Sequence, residues 1–514
     1  MTGAETLLQT LVANGIEVCF MNPGTSEMHF VSALDHVPRM RAILCLYEGV
    51  CSGAADGYAR IKGKPACTLL HLGPGLANSL SNFHNARKAH TPMVSIVGEH
   101  TTGHLKYDAP LTSDIAAFAR TVSQEIRTVA SPATIGESAS ATIAASLTLP
   151  GQIAMLIVPA DYSWLPAGPT GPIVASLVPP LPAATQIEAV AKILLSGQPA
   201  AIVLGGSAVN PRALEAARRL TAATGVRFFI DRSAPRLASG RSRFAIEKIP
   251  YFPEDASAAL SGFAHLILVE AQTPVSFFGY PNTPSSPVPD TCAVSTLATH
   301  AEDGTAALEA LLETIGTAGT VSVAETPAPS LPESGPLTLD AMGRIIATFM
   351  PEDAIVSDEM VSSAVPVLKH LTQGAAHDQL TITGGAIGQG LPVAVGAAIA
   401  APHRKVLALQ ADGSAMYSLQ ALWTMARENL DITIVIFANH RYRILDIEMK
   451  RTGTSGAGPS ANNMLDLGRP NLDFVSLSQG MGVPATRATT TEEFTTQFQA
   501  AVAASGPRLI EAVL

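Results

Sequence analysis

No apolar run in this 514-residue chain approaches the ~20 residues needed to cross a bilayer, which argues against a membrane span. There is no basic tract either. Acidic residues number 42 against 32 basic ones, for a net charge of −10, and that balance argues against nucleic acid as a partner. Cysteine is scarce: Cys19, Cys45, Cys51, Cys67 and Cys292 contain no CxxC pair, so neither a zinc site nor a disulfide framework is indicated. The glycine-rich stretches VLGGSAVN and HLGPGLAN lack the full GxGxxG spacing of a dinucleotide fingerprint. The opening MTGAETLLQTLVANG carries acidic and polar residues early and reads as a helix, not as a signal peptide. A cytoplasmic location is the resulting expectation.

What the chain does have is core material. Apolar residues make up 47% and charged residues only 14%, with Ala and Gly abundant, which suits tightly packed α/β layers. At 100–200 residues per domain, the length predicts about three domains. Proline-rich stretches at 165–185 (LPAGPTGPIVASLVPPLPAAT) and 325–338 (ETPAPSLPESGPLT) disfavour helix and sheet interior and read as linkers. Three blocks result: 1–164, 186–324 and 339–514. Each alternates short apolar runs with helical patterns, so the expected fold is α/β: three doubly wound domains with mainly parallel sheets.

The last block holds the most informative stretch, VLALQADGSAMYSLQALWTMARENLDITIVIFANHRY, residues 406–442. VLALQ and ITIVIF read as buried parallel strands, and the residues between them recur at helical spacing. Asp412 follows the first strand and Asn439 follows the second. A right-handed crossover brings those two strand ends together. A hard cation such as Mg²⁺ wants oxygen ligands and usually shares them with phosphates. In the first block, a strand over Ala42–Tyr47 runs directly into Glu48, and the small residues Gly49, Ser52, Gly53, Ala54 and Ala55 open a closely packing helix. The strand PACTLLHL ends on His71 and enters Gly73-Pro74-Gly75. TPMVSIVGEH and GQIAMLIVPADY supply two more core strands.

Asp412-Gly413-Ser414, followed by Ala438-Asn439, resembles the signature of thiamine diphosphate (ThDP) enzymes, in which Gly-Asp-Gly is followed by Asn-Asn. The outer positions Ala411 and Ala438 depart from that pattern. NPGTSE (22–27), LYEGVCSGAADGYAR (46–60), LHLGPGLANSLSN (70–82), TPMVSIVGE (91–99), IVLGG (202–206), SAPR (233–236), GGAIGQGLPVAVG (384–396) and DGSAMYSLQALWT (412–424) look like benzoylformate decarboxylase. The likeness spans all three blocks. It is specific for the ThDP-dependent decarboxylase and carboligase superfamily, which includes acetolactate synthases, and less so for one activity within it.

The resemblance implies a site shared between two subunits, hence a homodimer at the least, and a homotetramer. It implies ThDP and Mg²⁺ as cofactors and a 2-oxo acid as substrate. Glu48 matches the glutamate that binds the pyrimidine ring and activates the cofactor. Ile387 matches the apolar wedge that bends the cofactor, and the Gly385 carbonyl would accept from its amino group. Asp412, Asn439 and the Arg441 backbone carbonyl match the metal ligands. Gly413, Ser414, Tyr442 and Ser362 match positions around the diphosphate. His71 matches a proton-transferring histidine and Thr25 an active-site hydroxyl; His84 and His90 read as structural. A second active-site histidine is missing, with Phe278 or Gly279 in its place, and Arg443, Asp446 and Glu448 replace aromatic residues that border the pocket. No motif supports a bound flavin. The implied reaction is non-oxidative decarboxylation through an enamine, with carboligation as the alternative fate. A catalytically silent cofactor binder and a nucleotide-binding protein are the remaining readings.

Overall fold

The computed structural model describes residues 1–316, 327–454 and 458–514. Residues 317–326 include the end of the second block and the first two positions of the second proline-rich stretch, so those parts of the expectation lie outside the described residues.

Three mainly parallel sheets alternate with helices, as the apolar runs predict. The first contains β1 (Val18–Asn22), β2 (Arg41–Leu44), β3 (Ala66–Leu70), β4 (Met93–Glu99), β5 (Glu125–Thr128) and β6 (Ile153–Pro159), in the order β2-β1-β3-β4-β6-β5. The second contains β7 (Ala200–Leu204), β8 (Arg227–Ile230), β10 (Glu247–Lys248), β11 (His265–Val269) and β12 (Ala293–Ala298), ordered β10-β8-β7-β11-β12. The third contains β13 (Ala354–Glu359), β14 (His377–Leu380), β15 (Val406–Ala411), β16 (Ile432–Ala438), β17 (Ala485–Ala488) and β18 (Arg508–Val513). A strand of the middle block, β9 (Arg236–Ser239), pairs antiparallel with β14 and completes its edge, giving the order β17-β18-β16-β15-β13-β14-β9. The sequence blocks therefore do not each keep their strands to themselves. Arg236 donates to Asp378 across this junction at 2.9 Å.

Two helices join the first and third sheets. The Glu48–Lys62 helix crosses the Gly390–Ala400 helix, all of whose residues are buried. Glycine permits the approach: a Cβ on Gly53 would lie 2.6 Å from Pro392, and one on Gly57 would run into the Val393 carbonyl. At this crossing Asp56 and Arg60 form a buried two-bond ion pair, 2.8 and 2.5 Å, with Thr91 donating to Asp56 at 2.6 Å. Arg60 also donates to the Thr381 carbonyl and the Thr383 hydroxyl, 2.8 and 3.2 Å. The segment before Gly384 and Gly385 is thus tied to the first sheet.

β2 is shorter than expected. Its ladder ends when the Cys45 N–H donates to the Met21 carbonyl, and Tyr47 becomes the residue that starts the helix. Glu48 is therefore a helix-first residue, not a strand-end one. The first helix, Gly3–Ala13, opens on a reciprocal Thr2–Glu5 cap. Among the described residues, no helix is long and apolar enough to cross a membrane.

Candidate active site

One rim of the site is built on the carboxyl ends of β1 and β3. Glu48 sits in the first turn of its helix, where unpaired N–H groups favour an anion. Its Oε2 accepts from Asn78 at 2.9 Å. A Cβ on Gly75 would lie 3.2 Å from Glu48 Oε1 and 3.5 Å from the His71 Cβ, so the two side chains flank that glycine. His71 follows β3 directly, and its Nδ1 lies 2.8 Å from buried Glu27 and 3.3 Å from the Ser26 hydroxyl. A carboxylate at Nδ1 favours the Nδ1–H tautomer and leaves Nε2 to exchange a proton. Glu27 in turn accepts from the Gly24 N–H and the Ser26 hydroxyl, 2.8 and 2.9 Å. Thr25, the hydroxyl expected here, is exposed, and Ser26 is the one that reaches His71.

A second rim is built on β15 and β16, paired so that Ala411 lies beside Phe437. Asp412 is buried; its Oδ1 accepts from the Gly413 N–H at 2.8 Å and its Oδ2 from the His440 N–H at 2.7 Å. Asn439 Oδ1 accepts from the Arg441 N–H at 2.9 Å, and the Arg441 carbonyl from the Arg443 N–H at 2.8 Å. Each candidate ligand oxygen keeps a second lone pair. Burial pushes the Asp412 carboxyl above its ordinary range, against the N–H bonds that pull it down, and among the described residues it has no ion-pair partner. A divalent cation fits that donor set. No group of three His, Cys, Asp or Glu side chains that could hold a metal converges among the described residues, so a cation here would complete its shell from phosphate oxygens and water.

The Tyr442 ring covers Gly413: a Cβ there would meet it at 2.5 Å. Burial first, then Tyr417 and Asp412, push the Tyr442 hydroxyl up. Ser414 accepts from Gln410 at 3.0 Å and reaches the Ala411 carbonyl at 3.2 Å. Ser362 lies half-buried in a short turn whose first residue, Val361, has φ +52°.

The loop between the rims is GGAIGQG. Gly385 and Gly388 have φ +78° and +95°, conformations that favour glycine. Ile387 is half-buried and joins none of the hydrophobic clusters of the core, which is unusual for a large aliphatic residue. Asn85 holds the Ala386 carbonyl at 2.7 Å, His84 lies 3.1 Å from the Gly384 carbonyl, and Asn82 donates to the Gly49 and Gly388 carbonyls at 2.7 and 3.5 Å. His84 is thus a loop support, while the His90 ring lies tilted against His300 with centroids 4.8 Å apart.

From the middle block it is Phe277 that faces this loop: a Cβ on Gly385 would run into its ring. Phe278 meets Phe277 edge-to-face with ring centroids 4.9 Å apart, the Tyr251 ring lies 5.2 Å from Phe277, and a Cβ on Gly279 would meet nothing within 4 Å. The Arg443–Arg451 helix is docked here. Tyr280 donates to Glu448 at 2.9–3.0 Å, Arg451 lies over Phe252 at 4.0 Å, and Asp446 is held by Arg441 at 2.5 and 2.7 Å. At the ends of β7 and β11, Glu270 accepts from the Ser207 and Gly304 N–H groups, 2.6 and 2.9 Å. The Ser207 and Gly304 N–H groups at these strand ends are therefore already bonded.

Sequence reasoning passed over Glu27, Ser26, Asn78 and Phe277 as individual residues. Glu27 lay within the quoted NPGTSE, but nothing in one sequence signals its pairing with a histidine 44 positions on.

A helix-first glutamate, a carboxylate–histidine pair and an Asp/Asn loop set thus sit at the strand ends of two α/β sheets, the place where such folds bind ligands. The family described as thiamine pyrophosphate enzyme, N-terminal TPP binding domain, matches residues 1–129, and the corresponding C-terminal TPP binding domain matches residues 365–512. The chain is 51% identical to a Mycobacterium tuberculosis protein named "Putative acetolactate synthase large subunit IlvX", covering 100% of this chain and 99% of that one. It is 27% identical to benzoylformate decarboxylase of Pseudomonas aeruginosa, covering 98% and 97%. The solved ThDP-dependent 4-hydroxybenzoylformate decarboxylase of Rhodococcus jostii RHA1 is similar with TM-score 0.86 at 25% identity, covering 99% and 98%. The chain belongs to the thiamine pyrophosphate (ThDP) enzyme family.

Proposed function

We propose that the protein binds ThDP and Mg²⁺ and decarboxylates a 2-oxo acid without an external oxidant. The observation that carries this reading is the Glu27–His71 pair set beside Glu48 across Gly75. ThDP, when bound, supplies the electron sink that cleavage beside a ketone carbonyl requires. Glu48 would hold a proton at a pyrimidine nitrogen. Ile387 would shape the cofactor from below, and Asp412, Asn439 and the Arg441 carbonyl would hold the cation on the diphosphate. Substrate carboxylate leaves as carbon dioxide, a proton takes its place, and the product is an aldehyde. His71 Nε2, oriented by Glu27, is suited to moving that proton.

A second reading is carboligation, in which another carbonyl compound takes the place of the proton and a 2-hydroxy ketone or 2-hydroxy-2-alkyl-3-oxo acid results. The 51% identity to a protein named for acetolactate synthase favours it. The bonded state of Glu270 speaks against a nucleotide-binding role for the middle sheet. A site completed between two copies of the chain is part of the proposal, supported by exposed Leu46, Met416 and Tyr417 beside the rims. Sedimentation should then show at least a dimer, and an active monomer would refute that part. The experiment for the reaction is a panel of aromatic and aliphatic 2-oxo acids with ThDP and Mg²⁺, scored for carbon dioxide and for the organic product. Aldehyde supports decarboxylation and hydroxy ketone supports ligation. No turnover of any substrate would sink both.

A further inference from the structure

Glu359, the last residue of β13, is fully buried and lies beside Gln410 in the sheet register. Its Oε1 accepts from the Gly388 N–H at 2.6 Å, and its Oε2 accepts from the Gly390 N–H at 2.5 Å and from Gln410 Nε2 at 2.8 Å. Those partners belong to the two halves of the site. Gly388 adjoins Ile387, and Gly390 begins the helix behind the loop. Gln410 precedes Asp412 by two positions and donates onward to Ser414 at 3.0 Å. Ser414 in turn reaches the Glu359 carbonyl at 3.5 Å. Space is closed around this carboxylate, since a Cβ on Gly390 would lie 2.8 Å from both Cβ and Oε2 of Glu359. No charged side chain pairs with it among the described residues.

We propose that Glu359 is a positioning residue that fixes the Ile387 loop relative to the Asp412–Ser414 anchor by binding both through one carboxylate. This role of Glu359 rests on the ThDP reading given above. A buried carboxylate that is expensive to desolvate is retained here with three donors, two of them backbone N–H groups. Substitution by glutamine keeps the shape but turns one acceptor into a donor. That group would face either the Gly388 or the Gly390 N–H, and the loop must shift to relieve the conflict. Ile387 moves with the loop, and Ser414 loses the fixed orientation of Gln410. Glu359 touches no reacting atom in this scheme; it acts through Ile387 and Gln410.

The test compares wild type with Glu359→Gln, and with Glu359→Asp should the first variant fail to fold. Melting temperature establishes folding. The readouts are the dissociation constant for ThDP with Mg²⁺ and the rate at which the bound cofactor exchanges its thiazolium proton for deuterium at saturation. Expected is weaker ThDP binding together with exchange slowed about tenfold. Wild-type exchange in the saturated variant, with unchanged affinity, would overturn the proposal and leave Glu359 with a purely structural role. Weaker binding with wild-type exchange would overturn its hold on the Ile387 loop. Should wild type itself bind no ThDP, the functional reading falls and not this inference alone.

Discussion

Glu359 also titrates where stability can report it. Burial pushes its carboxyl from an ordinary 4.5 up to about 7, against bonds from Gln410, Gly390 and Gly388 that pull it down. A carboxyl whose folded-state pKa lies above its unfolded value holds the extra proton only when folded. Its contribution is therefore most favourable below pH 4.5 and is lost as pH rises through 7. At 1.36 kcal/mol per pH unit, that interval amounts to about 3 kcal/mol. In Glu359→Gln the titration is gone, while the conflict with the N–H donors persists at every pH. The melting temperature of cofactor-free wild type minus that of the variant should therefore fall between pH 4.5 and 7.5. For a folding unit of 150–250 residues the fall is roughly 6–12 °C. Calorimetry or near-ultraviolet circular dichroism in overlapping buffers at constant ionic strength would measure it. A difference that stays flat across the range, or rises, would refute the assignment of a buried neutral-range titration to Glu359.

Glu48→Gln should still bind ThDP, because Asn78 and the helix start remain, yet slow thiazolium proton exchange about 100-fold by the usual contribution of a positioned acid or base; unchanged exchange would remove Glu48 from the activation role. His71→Ala should lower carbon dioxide release by about 100-fold, with a melting temperature close to wild type, since Glu27 keeps its bonds to Gly24 and Ser26. Full turnover in that variant would return His71 to a structural role. Arg60→Ala leaves Asp56 buried without its partner and should cost about 3–5 kcal/mol in denaturant unfolding; a loss below about 1 kcal/mol would mean that the pair is not buried as described.

The elements that sequence reading placed well are those whose signal is local. β15 and β16 are mostly apolar runs buried along nearly their whole length, and composition alone marks such runs. Asp412 and Asn439 were legible because they follow those strands directly. β2 was overextended because Cys45, Leu46 and Tyr47 look strand-like, whereas Leu46 is exposed and Tyr47 starts a helix. β9 was invisible as a member of the third sheet: its partner β14 lies about 140 positions later, and no periodicity encodes such pairing. Glu27 and Glu359 went unremarked for the same reason. A glutamate at or just beyond a strand end looks solvated until the donors around it are known. Phe277 and Phe278 are equivalent in sequence, and only the φ of Gly385 and the approach of the ring distinguish them.

Backbone strain joins these observations. Leu72 (φ +50°), Val361 (φ +52°) and His440 (φ +55°) are non-glycine residues in the left-handed region, each costing on the order of 1–2 kcal/mol. Each adjoins a residue of the site: His71, Ser362 and Asn439. Among the described residues, six other non-glycine residues share the conformation, His90 and Asn429 included, so strain by itself does not locate the site. The three at the site lie just beyond β3, β13 and β16, as Glu270 lies just beyond β11, where the chain turns off a buried strand. Two of the turns are held by nearby groups. Leu72 is buried in the core, and the His440 N–H and carbonyl bond to Asp412 and to the Leu467 N–H. Val361 has no such clamp on its own side chain, which is exposed, but it follows Glu359 by two residues. Glu359 is held by three donors, so the strand end from which the Ser362 turn starts is fixed by the same carboxylate that ties the Ile387 loop to the anchor. A change at Glu359 should consequently disturb three parts of the site together, which a residue serving only the local packing of β13 would not do.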